Sequence, residues 1–112
     1  MKDDRVYLLH IRDAIRNIIE YTTTGQVDFV ADRKTQDAVI RNLEIIGEAS
    51  KRVSDSLKSA HPDVAWKPIA GMRDKLIHDY FGVNVKLVWD VVERDLPVLY
   101  EKVKRLLAAS DA

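Results

Sequence analysis

Apolar residues recur at helical spacing along most of the chain and show no sustained alternation. Leu8, Ile11, Ile15 and Ile18 fall at three- and four-residue steps, which predicts a first helix from about Asp3 to Thr22. "TTTGQ" closes it, with Gly25 as the stop. "VDFVADR" is too short for a full helix and reads as one helical turn that drops Phe29 into the core. Val39, Leu43, Ile46 and Val53 mark a long second helix from about Arg33 to Ser54. A further short helical turn falls in "SDSLKSAHPDVAW", where Pro62 interrupts. The third long helix is expected from about Pro68, because proline suits a first turn, to about Tyr80, with Gly82 as its C-terminal stop. Asn84 is the expected N-cap of the fourth, in which Val85, Val88, Val92, Leu96, Leu99, Val103 and Leu106 keep phase. Pro97 lies inside that stripe and removes one backbone hydrogen bond, which predicts a kink or short break. The end of the chain, from about residue 107 to 112, is expected to fray.

Four amphipathic helices with short connections predict an all-α, up-and-down four-helix bundle with a short extra helix and no sheet. At 112 residues, 46% of them hydrophobic, residues 1–112 read as a single domain with one modest core. Gly47 interrupts the strongly periodic "EIIGEAS", where glycine costs about 1 kcal/mol relative to alanine. Its missing side chain either lets a neighbouring helix approach closely or leaves room for a ligand or partner chain.

Charge and cysteine content narrow the function classes. Lys plus Arg equals Asp plus Glu, 18 each, so bulk positive charge does not mark the chain as a non-specific nucleic-acid binder. Any such contact must come from the placement of charges. The absence of cysteine removes disulfides, thiol catalysis and cysteine-based zinc sites, and fits a cytoplasmic location. No run approaches the roughly 20 apolar residues of a membrane span, and the charged start "MKDDRVYLLHIRD" does not read as a signal peptide.

The segment "GMRDKLIHDYFG" sets Arg73, Asp74, His78 and Tyr80 among Met72, Leu76, Ile77 and Phe81. On one helix Arg73 and His78 lie about 140° apart, so they do not share a face. Asp74 and His78 are i and i+4, close enough for Asp74 to orient or charge-stabilise the imidazole. Arg73 can reach a group near His78 by wrapping around the helix end, or across a symmetric dimer in which a second copy faces the first. Such a pair suits RNA phosphodiester cleavage without a metal. Histidine moves a proton from a ribose 2′-hydroxyl, and an arginine fork meets the charge that grows on phosphate. The bland alternative is a solvated helix face. His10 and His61 stand isolated, Glu44 and Glu48 read as solvated carboxylates, and neither metal-ligand spacing nor a Gly-rich phosphate loop is present.

"RDKLIHDYF" resembles the signature of the HepT-like HEPN ribonuclease toxins: Arg, a four-residue gap, His, a one-residue gap, Tyr. "AVIRNLEIIGEASKRVS", "VAWKPIAGMRDKLIHDYFGV" and "VWDVVERDLPVL" resemble the flanking helices of that family, so the likeness spans about Arg5 to Leu106. The resemblance implies a HEPN-type helical bundle, homodimeric, with a catalytic cleft between protomers. Arg73 and His78 match the catalytic pair, with Asp74 assisting. It implies an RNA substrate and no metal or other cofactor of the chain's own. The implied partner is an MntA-type nucleotidyltransferase antitoxin, which uses ATP to transfer AMP onto Tyr80. An adduct there would bring negative charge beside Arg73 and His78 and compete with RNA phosphate. Many relatives of this kind are instead described as non-catalytic nucleotide- or substrate-binding subunits of nucleotidyltransferases, which is the alternative function. A purely structural helical dimer is a third reading.

Overall fold

The computed structural model describes residues 2–78 and 84–111, apart from the side chains of residues 2, 73, 75–78, 110 and 111. All regular structure among the described residues is helical. Helix α1 (Lys2–Tyr21) opens with Asp3 and Asp4, whose charges suit the positive end of the helix dipole. Its last turn is closed by Thr22, which bonds the Ile18 carbonyl through both amide and hydroxyl. The chain then turns at Gly25, whose φ of 93° lies in the left-handed region that a side chain would disfavour.

Helix α2 (Gln26–Ala31) is the expected single turn, and it does bury Phe29. The Phe29 ring packs on that of Trp89 with centroids 5.3 Å apart. Asp32 then caps α3 (Arg33–Arg52), accepting from the Lys34 amide at 3.1 Å and the Thr35 hydroxyl at 2.7 Å. Ser54 caps α4 (Asp55–Ala60) by accepting from the Leu57 amide. The bundle thus carries short helices at both stretches where the sequence predicts a helical turn. Of the two, α4 follows a capping side chain, Ser54, whereas α2 follows the glycine turn at Gly25.

Helices α1 and α3 run antiparallel. Asp4 meets Ser54 near one end of the pair, and Asn17 Nδ2 donates to Asn42 Oδ1 towards the other. Asp4 is buried, and its carboxylate accepts from the Ser54 amide at 2.8 Å and the Ser54 hydroxyl at 2.7 Å. Burial alone would raise this carboxyl. The two Ser54 hydrogen bonds, with the positive charges of the N-terminus and Lys58, together outweigh it and hold the group below its ordinary value.

Helix α5 (Trp66–His78) lies against α3, the helix that buries Gly47. It begins two residues before Pro68. The first four amides of a helix lack partners inside it, so a proline at the third position forfeits nothing. The first helical bond is from the Ile69 amide to the Ala65 carbonyl, and the indole of Trp66 donates to the carbonyl of His61. The expected stop at Gly82 lies outside the described residues.

Asn84 caps α6 (Val85–Asp90), as the sequence predicts, accepting from the Leu87 amide at 3.1 Å. A π-helical stretch (Val91–Asp95) links α6 to α7 (Leu96–Asp111), and the Leu96 amide bonds back five residues to Val91. This is the form the expected break takes. In a continuous α-helix Pro97 would lack the donor for the Glu93 carbonyl and press its ring on it, and the wider turn just before it relieves both. Helix α7 runs antiparallel to α1, tied by Arg16 to the Tyr100 hydroxyl at 3.0 Å and by Arg5 to the Leu107 carbonyl at 3.2 Å. Leu107 is buried in the core and α7 continues through Asp111.

One apolar core joins these elements. Ile11, Ile15 and Ile18 of α1 meet Val39, Leu43 and Ile46 of α3 at its centre, all six with no exposed surface. None of the helices is long and apolar enough to cross a membrane, among the residues described.

Candidate active site on the fifth helix

Helix α5 owes its place to a short apolar stripe. Trp66 is buried and Ile69 and Met72 are half-buried against the core, while Lys67, Pro68, Gly71 and Asp74 are exposed. Arg73 and His78 are both residues of this helix. By helical period Arg73 takes the register of Trp66 and Ile69, whereas His78 follows Lys67, Gly71 and Asp74. The angular separation of about 140° expected from the sequence therefore applies to the helix as built. The side chains of Arg73 and His78 and the whole of Tyr80 lie outside the described residues.

Asp74 is described, and it reaches across to α3. Its carboxylate lies 3.9 Å from the ammonium of Lys51, with both side chains substantially exposed. Lys51 lies in the last turn of α3, and its carbonyl accepts from Lys58 of α4 at 3.4 Å. The residue beside Arg73 thus faces a corner where three helices meet. Sequence reasoning singled out Asp74 but not Lys51, because residues 23 positions apart have no local signal that they will pair.

The other side of α5 borders an apolar cleft of about 640 Å³. Pro68, Ile69 and Met72 form one wall, Val88 and Leu99 the facing one. Arg94, Asp95 and Lys102 add the charged groups around it. Val98, in the first turn of α7, is 54% exposed at this cleft. The isolated His10 packs edge-on to Tyr7 in a separate polar groove between α1 and α3. His61 serves through its backbone, closing α4 and accepting from Trp66. Among the described residues no three His, Asp or Glu side chains come together as a metal-ligand set.

With a helical bundle and an Arg–His helix in view, comparison with known proteins places the chain. Residues 11–106 match the family model described as "Ribonuclease HepT-like". The chain is 50% identical over 101 residues to "Probable ribonuclease HepT" of Thermococcus cleftensis, covering 89% of this chain and 92% of that protein. It is 41% identical over 107 residues to "Putative RNase MJ0127" of Methanocaldococcus jannaschii, covering 95% and 88% of the two chains. It is 44% identical over 108 residues to "Putative RNase TTE0752" of Caldanaerobacter subterraneus subsp. tengcongensis, covering 96% of each. No solved structure matches the chain. The chain belongs to the HepT-like ribonuclease family.

Proposed function

We propose that this chain is a metal-independent endoribonuclease, the cytoplasmic toxin of a toxin–antitoxin pair, and that Arg73 and His78 carry its chemistry. The supporting observation is that one helix, α5, holds Arg73, Asp74 and His78 within a chain matched to a ribonuclease family over residues 11–106. His78 takes the proton of a ribose 2′-hydroxyl, and the 2′-oxygen attacks the adjacent phosphorus. The bond to the 5′-oxygen breaks, and that oxygen leaves with a proton from a second histidine. The products are a 2′,3′-cyclic phosphate and a free 5′-hydroxyl. Arg73 binds the phosphoryl oxygens as their charge grows, a role whose removal costs about 10²–10³ in rate at comparable sites. General base removal costs about 10²–10⁴. Asp74 assists the pair.

The second histidine comes from a second copy of the chain. Two features support a homodimer: the register that separates Arg73 from His78 on one helix, and the uncovered apolar cleft on the flank of α5. An MntA-type nucleotidyltransferase antitoxin neutralises the toxin by transferring AMP from ATP to Tyr80, whose hydroxyl displaces pyrophosphate. The adduct places negative charge where the substrate phosphate would sit.

The test is cleavage of RNA by the purified chain in EDTA, with end analysis of the products and with Arg73→Ala and His78→Ala as controls. Cyclic-phosphate ends from the wild type, and loss of cleavage in both folded variants, are expected. A folded wild type that leaves RNA uncut while binding a nucleotidyltransferase would instead favour a binding subunit.

A further inference from the structure

The chain is neutral overall, so an RNA strand must be held by charges in particular places. One cation of α3, Lys51, is paired across to α5 beside the Arg–His segment. Its partner Asp74 immediately follows Arg73, so the Lys51 ammonium sits 3.9 Å from a carboxylate whose Cα is about 3.8 Å from that of Arg73. At that distance and exposure the pair is weak and exchangeable. A second ammonium, that of Lys58, is anchored at the same corner on the Lys51 carbonyl. The neighbouring cation Arg52 is engaged by Glu48 at 3.2 Å. Asp4 lies close enough to feel the charge of Lys58, but its carboxylate is buried and bonded to Ser54.

We propose that Lys51 is a substrate-binding residue: it leaves Asp74 to bind the RNA phosphate next to the one held at Arg73, with Lys58 supporting the strand at the same corner. This rests on the ribonuclease reading above. Asp74 has two effects in the free protein. It draws the long Lys51 side chain towards α5, and its charge opposes phosphate until the lysine moves. The substrate phosphate takes the place of Asp74 as counter-ion. A neutral protein can in this way present a local strand-binding corner without an excess of basic residues.

The experiment is equilibrium binding of a labelled single-stranded oligoribonucleotide, followed by fluorescence anisotropy. A His78→Ala background prevents turnover, and monovalent salt runs from about 50 to 200 mM. One phosphate contact contributes about 0.7 to the slope of log affinity against log salt for a single strand. Lys51→Ala is therefore expected to lower the slope by about 0.7. Its affinity penalty should shrink by about 2.6-fold across that salt range. Lys51→Arg should restore both. Asp74→Asn should tighten binding, and by more when Lys51 is present than in a Lys51→Ala background. A structural ion pair would not produce that dependence. If Lys51→Ala leaves affinity and slope unchanged in a protein whose wild type cleaves RNA, this inference is overturned and the ribonuclease reading stands. If the wild type neither cleaves nor binds RNA, both fall.

Discussion

Replacing Asp4 by alanine removes a buried carboxylate that ties the start of α1 to the junction of α3 and α4. The Ser54 hydroxyl keeps other neighbours after the change, the Ser56 hydroxyl at 3.1 Å and the Leu57 amide at 3.2 Å. The Ser54 amide loses its acceptor. A hydrogen bond to a charged group contributes about 1.5–3 kcal/mol, so one orphaned amide and one weakened hydroxyl should cost roughly 2–3 kcal/mol. Unfolding entropy near the transition is about 2.1 cal/mol/K per residue, or about 0.24 kcal/mol/K for a chain of 112 residues. The midpoint should therefore fall by about 10 °C at neutral pH, measured by circular dichroism at 222 nm. Asp4→Asn keeps one acceptor oxygen and should fall roughly half as far. The pH dependence has a definite sign. The folded carboxyl titrates below its unfolded value of 3.8, so its contribution is complete at pH 7 and is lost as pH falls through the folded pKa. The gap between wild type and Asp4→Ala should be full at pH 7 and narrow as pH falls below about 4, leaving the part that a neutral carboxyl keeps as an acceptor. A gap under about 0.5 kcal/mol at pH 7, or one that widens with acid, would refute the reasoning.

Other expectations are simpler. Asn84→Ala should cost about 1 kcal/mol in urea denaturation, because it removes the side-chain acceptor for the Leu87 amide. No measurable change would mean that the cap does not hold α6 in place. Pro97→Ala restores a donor in the stretch where the helix widens, and should raise the thermal midpoint. A fall would show that the π turn is required by packing and not by the proline. Tyr80→Phe should abolish the gain of AMP mass seen after incubation with the nucleotidyltransferase and ATP. Retention of that mass would move the acceptor elsewhere.

The elements were legible in the sequence where the signal is local. Phe29 was placed in the core because a lone aromatic in a short turn has nowhere else to go. Asn84 read as a cap from its position ahead of a periodic stripe, and Pro97 read as a break because its missing donor is intrinsic. The form of that break was not legible, since kinking, fraying and widening all answer the same lost hydrogen bond. The start of α5 was misjudged by two residues because a first turn tolerates proline at more than one position. The continuation of α7 past residue 107 depends on the burial of Leu107 and on Arg5 at the other end of the chain. The Asp4–Ser54 and Lys51–Asp74 pairs likewise join residues that only the packing of α1, α3 and α5 brings together. For the site, the helix register that separates Arg73 from His78 followed from the period alone.

The central claim is that Arg73 and His78 cleave RNA without a metal. It is tested most directly by incubating wild type and His78→Ala with RNA in EDTA and identifying the product ends. The account predicts 2′,3′-cyclic phosphate and 5′-hydroxyl ends from the wild type and none from a folded His78→Ala. Equal cleavage by the two proteins, or cleavage by the wild type that stops in EDTA, would contradict it.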